Sequence, residues 1–542
     1  MRLPSFLQFV LSLSVLMVGL TAGASAQSFS THAEQQQRLE ALARTHADAS
    51  LLNLGTSAGN RALYGLAIGQ TEGIDHPALL VLGGVESHDL TGPLAAEAFA
   101  EYLLTTDADS VQALLDRTTV YVIPRLSPDP LAGYHATPRY QPHGNAHPDD
   151  ADRDGLSDED GPDDLNDDGI ITMMRVMASD GTMRADEADA ALLRLADTQA
   201  GEVGRYHVLP EGRDNDGDLH VNEDAAGGIR VNRNTTHSYA PYTTEVGQHP
   251  FEAAELRALG EFVFEHPNIA AVFTFSDHDN LHTPWKIRHP QRRSRPNQFA
   301  ADSVAQAAVT KALAPFAAYR GTGAVPSGSV PGWAYYHAGR LSFSAPAFTY
   351  PTDDEVKQIR SAHDRTHAAL RWLRAHRPEL VHDWATIDHP DYPGQTVEIG
   401  GAEPFATENP MADSLLTQAT EGGTPLLFSV ARHLPQLQLD APRVTDLGNN
   451  TYRVTITVHN AGMMPTHTQA GRAVRAQRPV RIDATLGNGQ QFVNGRAITL
   501  LDQPIPGMAR RDVSFVIQGR GAVSFDAFTP SAGRATTTVE LD

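Results

Sequence analysis

The stretch Leu79–Pro93 reads LLVLGGVESHDLTGP, and the interpretation of the whole chain begins with it. The apolar run Ala78–Leu82 is typical of a β-strand that is buried on both faces. The pair Gly83–Gly84 ends this run, because glycine permits a sharp backbone turn that other residues resist. The apolar segment Leu94–Leu104 then predicts a helix. The stretch therefore predicts a buried strand, a tight turn and a covering helix in succession.

Three ionisable side chains stand directly after the predicted strand. Glu86, His88 and Asp89 occupy the turn between the strand and the helix. In open α/β sheets, ligands bind in the crevice outside the carboxyl ends of the strands. This turn is therefore a candidate functional site. The alternative is a polar turn at a solvent-exposed edge without a function.

Further strands and helices alternate along the chain. Short buried strands are predicted at Val120–Ile123, Ala270–Phe275 and Leu341–Phe343, and helices at Ala253–Glu265 and Asp354–Leu373. This alternation predicts an α/β fold, in which a mixed, mainly parallel sheet carries helices on both faces.

The C-terminal part of the chain follows a different pattern. From about residue 437, apolar and polar residues alternate, most clearly in Tyr452–Val458. Further strands are predicted at Val480–Leu486, Arg511–Gln518 and Thr536–Leu541, with turn residues between them. Several short strands of this kind predict a small β-sandwich.

Composition and charge exclude several classes of partner and site. The formal net charge of −23 opposes binding to nucleic acid, since phosphate would be repelled. The chain has no cysteine, which excludes disulfides and thiolate metal sites. No segment after the first 26 residues reaches the roughly 18 apolar residues that a membrane span requires.

The first 26 residues have the pattern of a cleavable export signal. Arg2 precedes the apolar core Phe6–Leu20, and the small residues Ala24–Ala26 form a cleavage site. This predicts a secreted or periplasmic protein. The predicted division is a signal peptide at 1–26, the sheet domain at 27–385 with an acidic insertion at about 141–228, a connector at 386–436 and the sandwich at 437–542.

The insertion is unusually acidic, with eleven Asp or Glu residues among the twenty residues from Asp149 to Asp168. Oxygen ligands at alternate positions, with a glycine at the turn, are what a calcium loop needs. A solvated acidic face is the alternative interpretation. We expect bound calcium that stabilises the fold, with ligands among Asp150, Asp152, Asp154, Asp158, Asp164, Asn166, Asp168, Asp214, Asp216 and Asp218.

Several stretches together resemble the zinc carboxypeptidase family of the carboxypeptidase A type, in a secreted bacterial form. They are Gly83–Val85, Val122–Asp129, Ile171–Arg175, Val231–Asn234, His266–Phe275 and Gly332–Tyr336. The resemblance covers roughly residues 34–375. It implies the family's α/β fold, a bound zinc ion and hydrolysis at the C-termini of peptides or proteins.

The resemblance also implies that the metal site is altered here. The family binds zinc through a His-x-x-Glu pair at the first turn and a later His, and the matching positions are Glu86, Asp89 and Ser276. Two carboxylates and a hydroxyl suit calcium or magnesium better than zinc. The family's catalytic Glu falls near Pro346, and proline cannot take a proton from a metal-bound water. We therefore expect zinc-dependent hydrolysis to be impaired or lost.

Some substrate-binding positions of the family are retained. Asn232 and Arg233 match the pair that grips the terminal carboxylate of the substrate, and Arg175 matches the Arg that steadies the oxyanion. An ion pair between Arg233 and an acidic neighbour is the alternative interpretation.

Three functions stay open at this point. The first is a carboxypeptidase-like protein that binds peptide C-termini, or partners an active related peptidase, without efficient zinc hydrolysis. The second is an active zinc carboxypeptidase with a shifted ligand set around His88 and His278. The third is a structural or adhesive exported protein.

Overall fold

The computed structural model describes residues 29–150, 153–225, 227–283, 300–321, 326–351 and 362–542 of the chain. The export signal predicted at 1–26 lies outside these residues, and so does the candidate calcium ligand Asp152. In the described part of the chain, no helix is both long enough and apolar enough to cross a bilayer.

The strands fall into four sheets. In chain order they are β1 Ala49–Thr56, β2 Ala62–Gly69, β3 Ala78–Leu82, β4 Thr119–Ile123, β5 Met173–Met177, β6 Met183–Ala185, β7 Leu193–Leu195, β8 Tyr206–Pro210, β9 Ile269–Phe275, β10 Leu341–Ala345, β11 Val381–Ile387, β12 Val397–Ala402, β13 Leu437–Leu439, β14 Arg443–Asp446, β15 Thr451–Asn460, β16 Val480–Leu486, β17 Gln491–Asn494, β18 Ile498–Leu501, β19 Arg510–Gln518, β20 Gly521–Thr529 and β21 Gly533–Leu541.

The helices cover the first of these sheets and link the others. They are α1 His32–Thr45, α2 Thr91–Thr105, α3 Asp109–Leu115, α4 Leu131–Tyr134, α5 Ala254–Glu265, α6 Ala300–Leu313, α7 Val330–Tyr336, α8 Ala362–His376, α9 Asp413–Arg432 and α10 Gln469–Ala473.

The main sheet has the strand order β1-β2-β4-β3-β9-β10. The pairs β1–β2 and β2–β4 are antiparallel, whereas β4, β3, β9 and β10 run parallel to one another. This confirms the predicted mixed sheet. Because the four parallel strands end at the same edge, the residues that follow them lie close together.

Strand β3 is buried on both faces, as its apolar run predicts. Leu79 and Val81 belong to the core cluster that includes residues of α2 and α9. Leu80 and Leu82 belong to the opposite cluster, with residues of α5 and α7. Burying each such side chain contributes about 1.5–3 kcal/mol relative to leaving it exposed. The strand is thereby held firmly beneath the turn that follows it.

The acidic insertion supplies four strands of a second sheet that the sequence did not predict. Its order is β11-β12-β5-β8-β6-β7, and all its strand pairs are antiparallel. Strands β5 to β8 come from the insertion, where the sequence indicated mainly loops. They are three to five residues long, so no window was long enough to show the period of two.

The segment predicted as a connector, 386–436, contains regular secondary structure. It contains β12 and the 20-residue helix α9. Leu427 and Val430 of this helix are buried in the same core cluster as Phe99 of α2. Pro425 lies inside the helix, and this residue and the nearby glycines made the composition look like that of a linker.

The C-terminal residues form two antiparallel sheets. One has the order β13-β15-β19-β17 with β14 also paired to β15, and the other has the order β18-β16-β20-β21. Residues from both sheets share one buried core, for example Val454 and Phe515 from one and Ile482 and Phe525 from the other. This confirms the predicted β-sandwich.

Candidate functional site

A cavity of about 680 Å³ opens at the carboxyl ends of the parallel strands of the main sheet. Its size lies within the range of about 300–1,000 Å³ that is usual for ligand sites. Polar residues line one side, among them Glu86, His88, Arg233, His278, Arg365 and Glu408. Apolar residues that belong mostly to the second sheet line the other side, among them Met173, Met183, Leu193, Val208, Leu209 and Trp384.

The turn after β3 is shaped by its two glycines. Gly84 has a φ of +56°, which other residues seldom adopt. A Cβ atom on Gly83 would lie 2.4 Å from the carbonyl oxygen of Pro124. The amides of Leu126 and Ser127 donate to the carbonyls of Gly83 and Gly84 at 3.0 and 2.8 Å. The turn is thus fixed against the end of β4, and it carries Glu86 to the mouth of the sheet.

Glu86 is engaged by two neighbouring side chains. The Asn232 amide donates to Glu86 Oε1 at 2.5 Å, and the Ser276 hydroxyl lies 3.2 Å from the same oxygen. Asn232 is itself held, since the amide of Val330 donates to its Oδ1 at 2.8 Å. Asn232 and Ser276 are both buried. The structure therefore brings Glu86, Ser276 and Asn232 together as the resemblance predicts, but as a hydrogen-bonded cluster.

Asp89 has a different role, because its carboxylate caps a helix. Asp89 Oδ1 accepts hydrogen bonds from the amides of Thr91 and Gly92 at 3.0 and 2.7 Å, at the first turn of α2. Caps of this kind satisfy the free amides of a helix N-terminus. Burial raises the pKa of Asp89, although the Gly92 amide opposes this effect. The carboxylate is directed to the helix and not toward Glu86.

A partly buried ion-pair cluster lies beside Glu86, and Asp277 is at its centre. Arg365 holds both Asp277 oxygens, with distances of 3.0 Å to Oδ1 and 2.8 Å to Oδ2. His88 Nε2 lies 3.2 Å from Asp277 Oδ2. Glu408 completes the cluster, because its carboxylate, His88 and Asp277 offer ligand atoms within 4.8 Å of one another.

The charges in this cluster stabilise one another. Burial lowers the pKa of His88, but Asp277 outweighs this effect and raises the pKa to about 10. Burial likewise raises the pKa of Asp277, but His88 and Arg365 together hold it well below its usual value. At neutral pH the cluster therefore contains a protonated His88 and an ionised Asp277.

The shifted ligand set around His88 and His278 does not form as one group. His88 faces Asp277 and Glu408, and the group that includes them does not contain His278. The His278 amide donates to Ser276 Oγ at 3.2 Å, and its carbonyl accepts from Ser344 Oγ at 2.7 Å. Burial lowers the pKa of the His278 side chain. His278 still lines the cavity, on the same side as Arg233.

Zinc does not fit the residues at the family's ligand positions. Glu86 is committed to Asn232 and Ser276, Asp89 is committed to a helix end, and neither belongs to a group of converging ligand atoms in the described residues. None of the three positions carries an imidazole, which catalytic zinc sites usually use. The neighbouring group of His88, Asp277 and Glu408 has one imidazole, but its central carboxylate is already held by Arg365.

Pro346 lies where the resemblance places the catalytic base, and a carboxylate from another part of the chain stands beside it. Pro346 and Glu408 line the same small pocket, together with Glu86, His88 and Asp277. Glu408 belongs to the segment between β12 and α9. The sequence carried no signal for it, since this segment resembled a connector.

Arg175 and Arg233, the two arginines at positions that match the family, differ in whether they line the cavity. Arg175 is buried in the second sheet, where its Nε lies 2.7 Å from Glu398 and its guanidinium stacks on Tyr206 and Trp384. It does not line the cavity. Arg233 is exposed and lines the cavity, and no carboxylate in the described part of the chain forms an ion pair with it.

Asn409 holds the site turn together, and sequence reasoning missed it. This residue is fully buried. Its Nδ2 donates to the His88 carbonyl at 2.8 Å, and its Oδ1 accepts from the Leu90 amide at 2.9 Å and the Thr91 hydroxyl at 3.0 Å. One side chain from a distant segment thus fixes the backbone that positions His88.

The predicted calcium ligands form separate turns in the insertion. Asp214, Asp216 and Asp218 bring three carboxylates within 4.8 Å of one another. Asp164 accepts hydrogen bonds from the Asp168 and Gly169 amides, which closes a second turn. In a third turn, the Asp149 amide donates to Asp158 at 3.1 Å, whereas Asp154 is exposed nearby. Asp150 is partly buried beside this third turn.

Comparison with protein families assigns two parts of the chain. The zinc carboxypeptidase family matches residues 36–161. A domain of unknown function (DUF8731) matches residues 436–540. No curated protein matches the chain. The first match confirms the resemblance that the sequence motifs indicated.

Several solved structures also align with the chain. One is thrombin activatable fibrinolysis inhibitor, at 12% identity over 75% of this chain and 77% of that one, with a TM-score of 0.40. Another is carboxypeptidase A from Helicoverpa armigera, at 14% identity over 60% and 67%, with a TM-score of 0.36. A metallo-carboxypeptidase from Burkholderia cenocepacia aligns at 12% identity over 74% and 68%, with a TM-score of 0.33.

Proposed function

With residues 36–161 assigned to the zinc carboxypeptidase family, we propose that this chain is a carboxypeptidase-like protein that binds peptide C-termini and has lost zinc-dependent hydrolysis. One observation carries the proposal. An internal ion-pair cluster lies beside the positions that match the family's metal ligands, and in it the Arg365 guanidinium holds both oxygens of Asp277. Because the guanidinium already neutralises the carboxylate, a transition-metal ion would add little stabilisation at this site.

The cavity offers what a peptide C-terminus requires. Arg233 is exposed to the cavity, and a guanidinium can hold a carboxylate through two parallel hydrogen bonds. The apolar wall from the second sheet can accept side chains of the bound peptide. Asn232 is committed to Glu86 and Val330, so Arg233 is the group that we expect to bind the terminal carboxylate.

A paired binding experiment tests this proposal. We expect a peptide with an apolar C-terminal residue and a free carboxylate to bind, and the same peptide with an amidated C-terminus to bind at least tenfold more weakly. Mass spectrometry after incubation with added zinc should find the free peptide intact. Equal binding of the two peptides would contradict the binding function, and zinc-dependent release of the last residue would contradict the loss of hydrolysis.

An active zinc carboxypeptidase is the second candidate, and one observation favours it. His88, Asp277 and Glu408 bring three ligand atoms of types that zinc accepts within 4.8 Å of one another. This function would require Arg365 to move away from Asp277. Metal analysis of the purified protein separates the candidates, since one zinc ion per chain that is lost in His88→Ala would support the second.

We also propose that the acidic insertion binds calcium and that the protein is exported. The cluster of Asp214, Asp216 and Asp218 supports calcium, because crowded carboxylates repel one another without a cation. The sequence of residues 1–26 supports export. Calorimetric titration of the calcium-stripped protein and N-terminal sequencing of the mature protein test these two points.

A further inference from the structure

Glu211 has one carboxylate oxygen that is buried without a hydrogen-bond partner, and it lies beside the turn that begins at Asp164. The residue follows β8 directly and is fully buried. Its Oε1 accepts a hydrogen bond from the Thr172 amide at 2.6 Å, whereas its Oε2 is buried without a hydrogen-bond partner. Such an oxygen is costly to bury, and it requires a proton or a cation.

The turn beside Glu211 has the ligand spacing of a calcium loop but lacks the last ligand. Asp164, Asn166 and Asp168 stand at the first, third and fifth positions, and Gly169 follows with a φ of +84°. In a complete loop, the twelfth position supplies a bidentate Glu. That position is Arg175 here, and its side chain is paired with Glu398.

The fold brings Glu211 next to the loop whose twelfth position lacks a carboxylate ligand. Thr172, which holds Glu211 Oε1, stands at the ninth position of the same loop. The carbonyl of Glu211 also accepts from the Asp163 amide at 3.1 Å, so the residue touches both ends of the loop. After burial, the charges of Asp168 and Asp164 are what raise the pKa of Glu211. Its carboxylate is therefore close enough to theirs for their charges to act on it.

Within the described residues, Glu211 forms no ion pair, so no cationic side chain there neutralises its carboxylate. His382 on β11 of the same sheet lies 3.7 Å from Glu403 and is paired with that residue. We propose that a calcium ion is bound by Asp164, Asn166, Asp168, the Ile170 carbonyl and Glu211, with Glu211 supplying from another strand the carboxylate that the loop lacks. This inference rests on the calcium binding proposed for the insertion and assigns one of its sites.

Calorimetric titration of the calcium-stripped protein with calcium chloride tests the site. We expect Glu211→Gln to remove one binding event or to weaken it at least tenfold. Glu187→Gln is the matched control, because Glu187 is an exposed residue of the loop between β6 and β7, and its substitution should leave every binding event unchanged. If Glu211→Gln leaves calcium binding unchanged, the assignment of Glu211 is wrong.

Thermal unfolding separates a ligand from a residue that only supports the fold. In a chelator, Glu211→Gln should be at least as stable as the parent, because the amide removes a buried charge and keeps an acceptor for Thr172. With calcium, the parent should gain more in melting temperature than the variant. An equal loss of stability with and without calcium would overturn the site. If the parent binds no calcium at all, the proposed calcium binding of the whole insertion fails as well.

Discussion

Carboxylates crowd together in two regions of this protein, and the two regions neutralise them differently. At the edge of the main sheet, Arg365 and His88 surround Asp277, and Asn232 and Ser276 hold Glu86. In the insertion, Asp214, Asp216 and Asp218 face one another without any such cation in the described residues. The first region thus contains its own positive charge, whereas for the second we propose a cation from solution.

The comparison teaches where a metal is expected. An acidic cluster is evidence for a bound cation only when the chain itself supplies none. By that criterion we propose that the site at the edge of the main sheet functions without a metal ion and that the insertion binds one. The following predictions test this contrast.

The largest effect is expected from Arg365→Met. The substitution keeps much of the buried apolar stem but leaves Asp277 without its main partner, which should cost about 3–5 kcal/mol in the free energy of unfolding. Arg374→Met is the matched control on the same helix, since its pairs with Asp189 and Asp383 are partly exposed, and about 1 kcal/mol or less is expected there. Urea unfolding measures both, and equal losses would refute the idea of an internal cation.

The next effect is expected from removal of calcium. A ligand present at 100 times its dissociation constant stabilises a protein by about 2.7 kcal/mol. Addition of EDTA should therefore lower the free energy of unfolding by about that amount when calcium was present at this excess. A chelator selective for zinc should change nothing. If both chelators have the same effect, or neither has one, the contrast between the two regions is lost.

A smaller effect is expected from Asn409→Ala. This change removes the hydrogen bonds to the His88 carbonyl and from the Leu90 amide, and each such bond contributes a net of about 0.5–1.5 kcal/mol. Asn494→Ala, at an exposed position of β17, should stay within about 0.5 kcal/mol of the parent. A neutral Asn409→Ala would mean that the site turn is held by its glycines alone.

The smallest effect is expected on binding rather than stability. Arg233→Ala should weaken the binding of a free peptide C-terminus by about 1.5 kcal/mol, roughly tenfold, because a charge-assisted hydrogen bond is lost. Stability should not change, since Arg233 is exposed. Arg233→Lys keeps the charge and should lose less. Unchanged affinity in Arg233→Ala would show that the terminal carboxylate is held elsewhere.

The sequence predicted the core of the fold because local patterns encode it. The run around Leu80 and the glycines after it fixed one strand and its turn, and the structure confirms the mixed sheet and the sandwich. The second sheet was missed, because strands of three to five residues such as β6 carry too little periodicity.

The candidate site was predictable only in part. Glu86 follows β3 and Ser276 follows β9. These two strands pair with each other, so the fold places the two residues close together. Arg365, Glu408 and Asn409 come from segments far along the chain, and no local pattern marks them. Tertiary packing decides which carboxylate forms an ion pair, and no local pattern in a single sequence predicts it.

The second sheet has one more consequence. Its strands β5 to β8 precede β9 and β10 of the main sheet, whereas β11 and β12 follow them, and the pairing of β5 with β12 joins the two groups. The apolar wall of the cavity therefore forms only when strands β5 to β8 and strands β11 and β12 are both present in the chain. A chain that lacks the insertion would keep Glu86, Arg233 and Arg365 but lose most of the apolar wall, whereas a chain that ends after β10 would also lose Arg365 and Glu408.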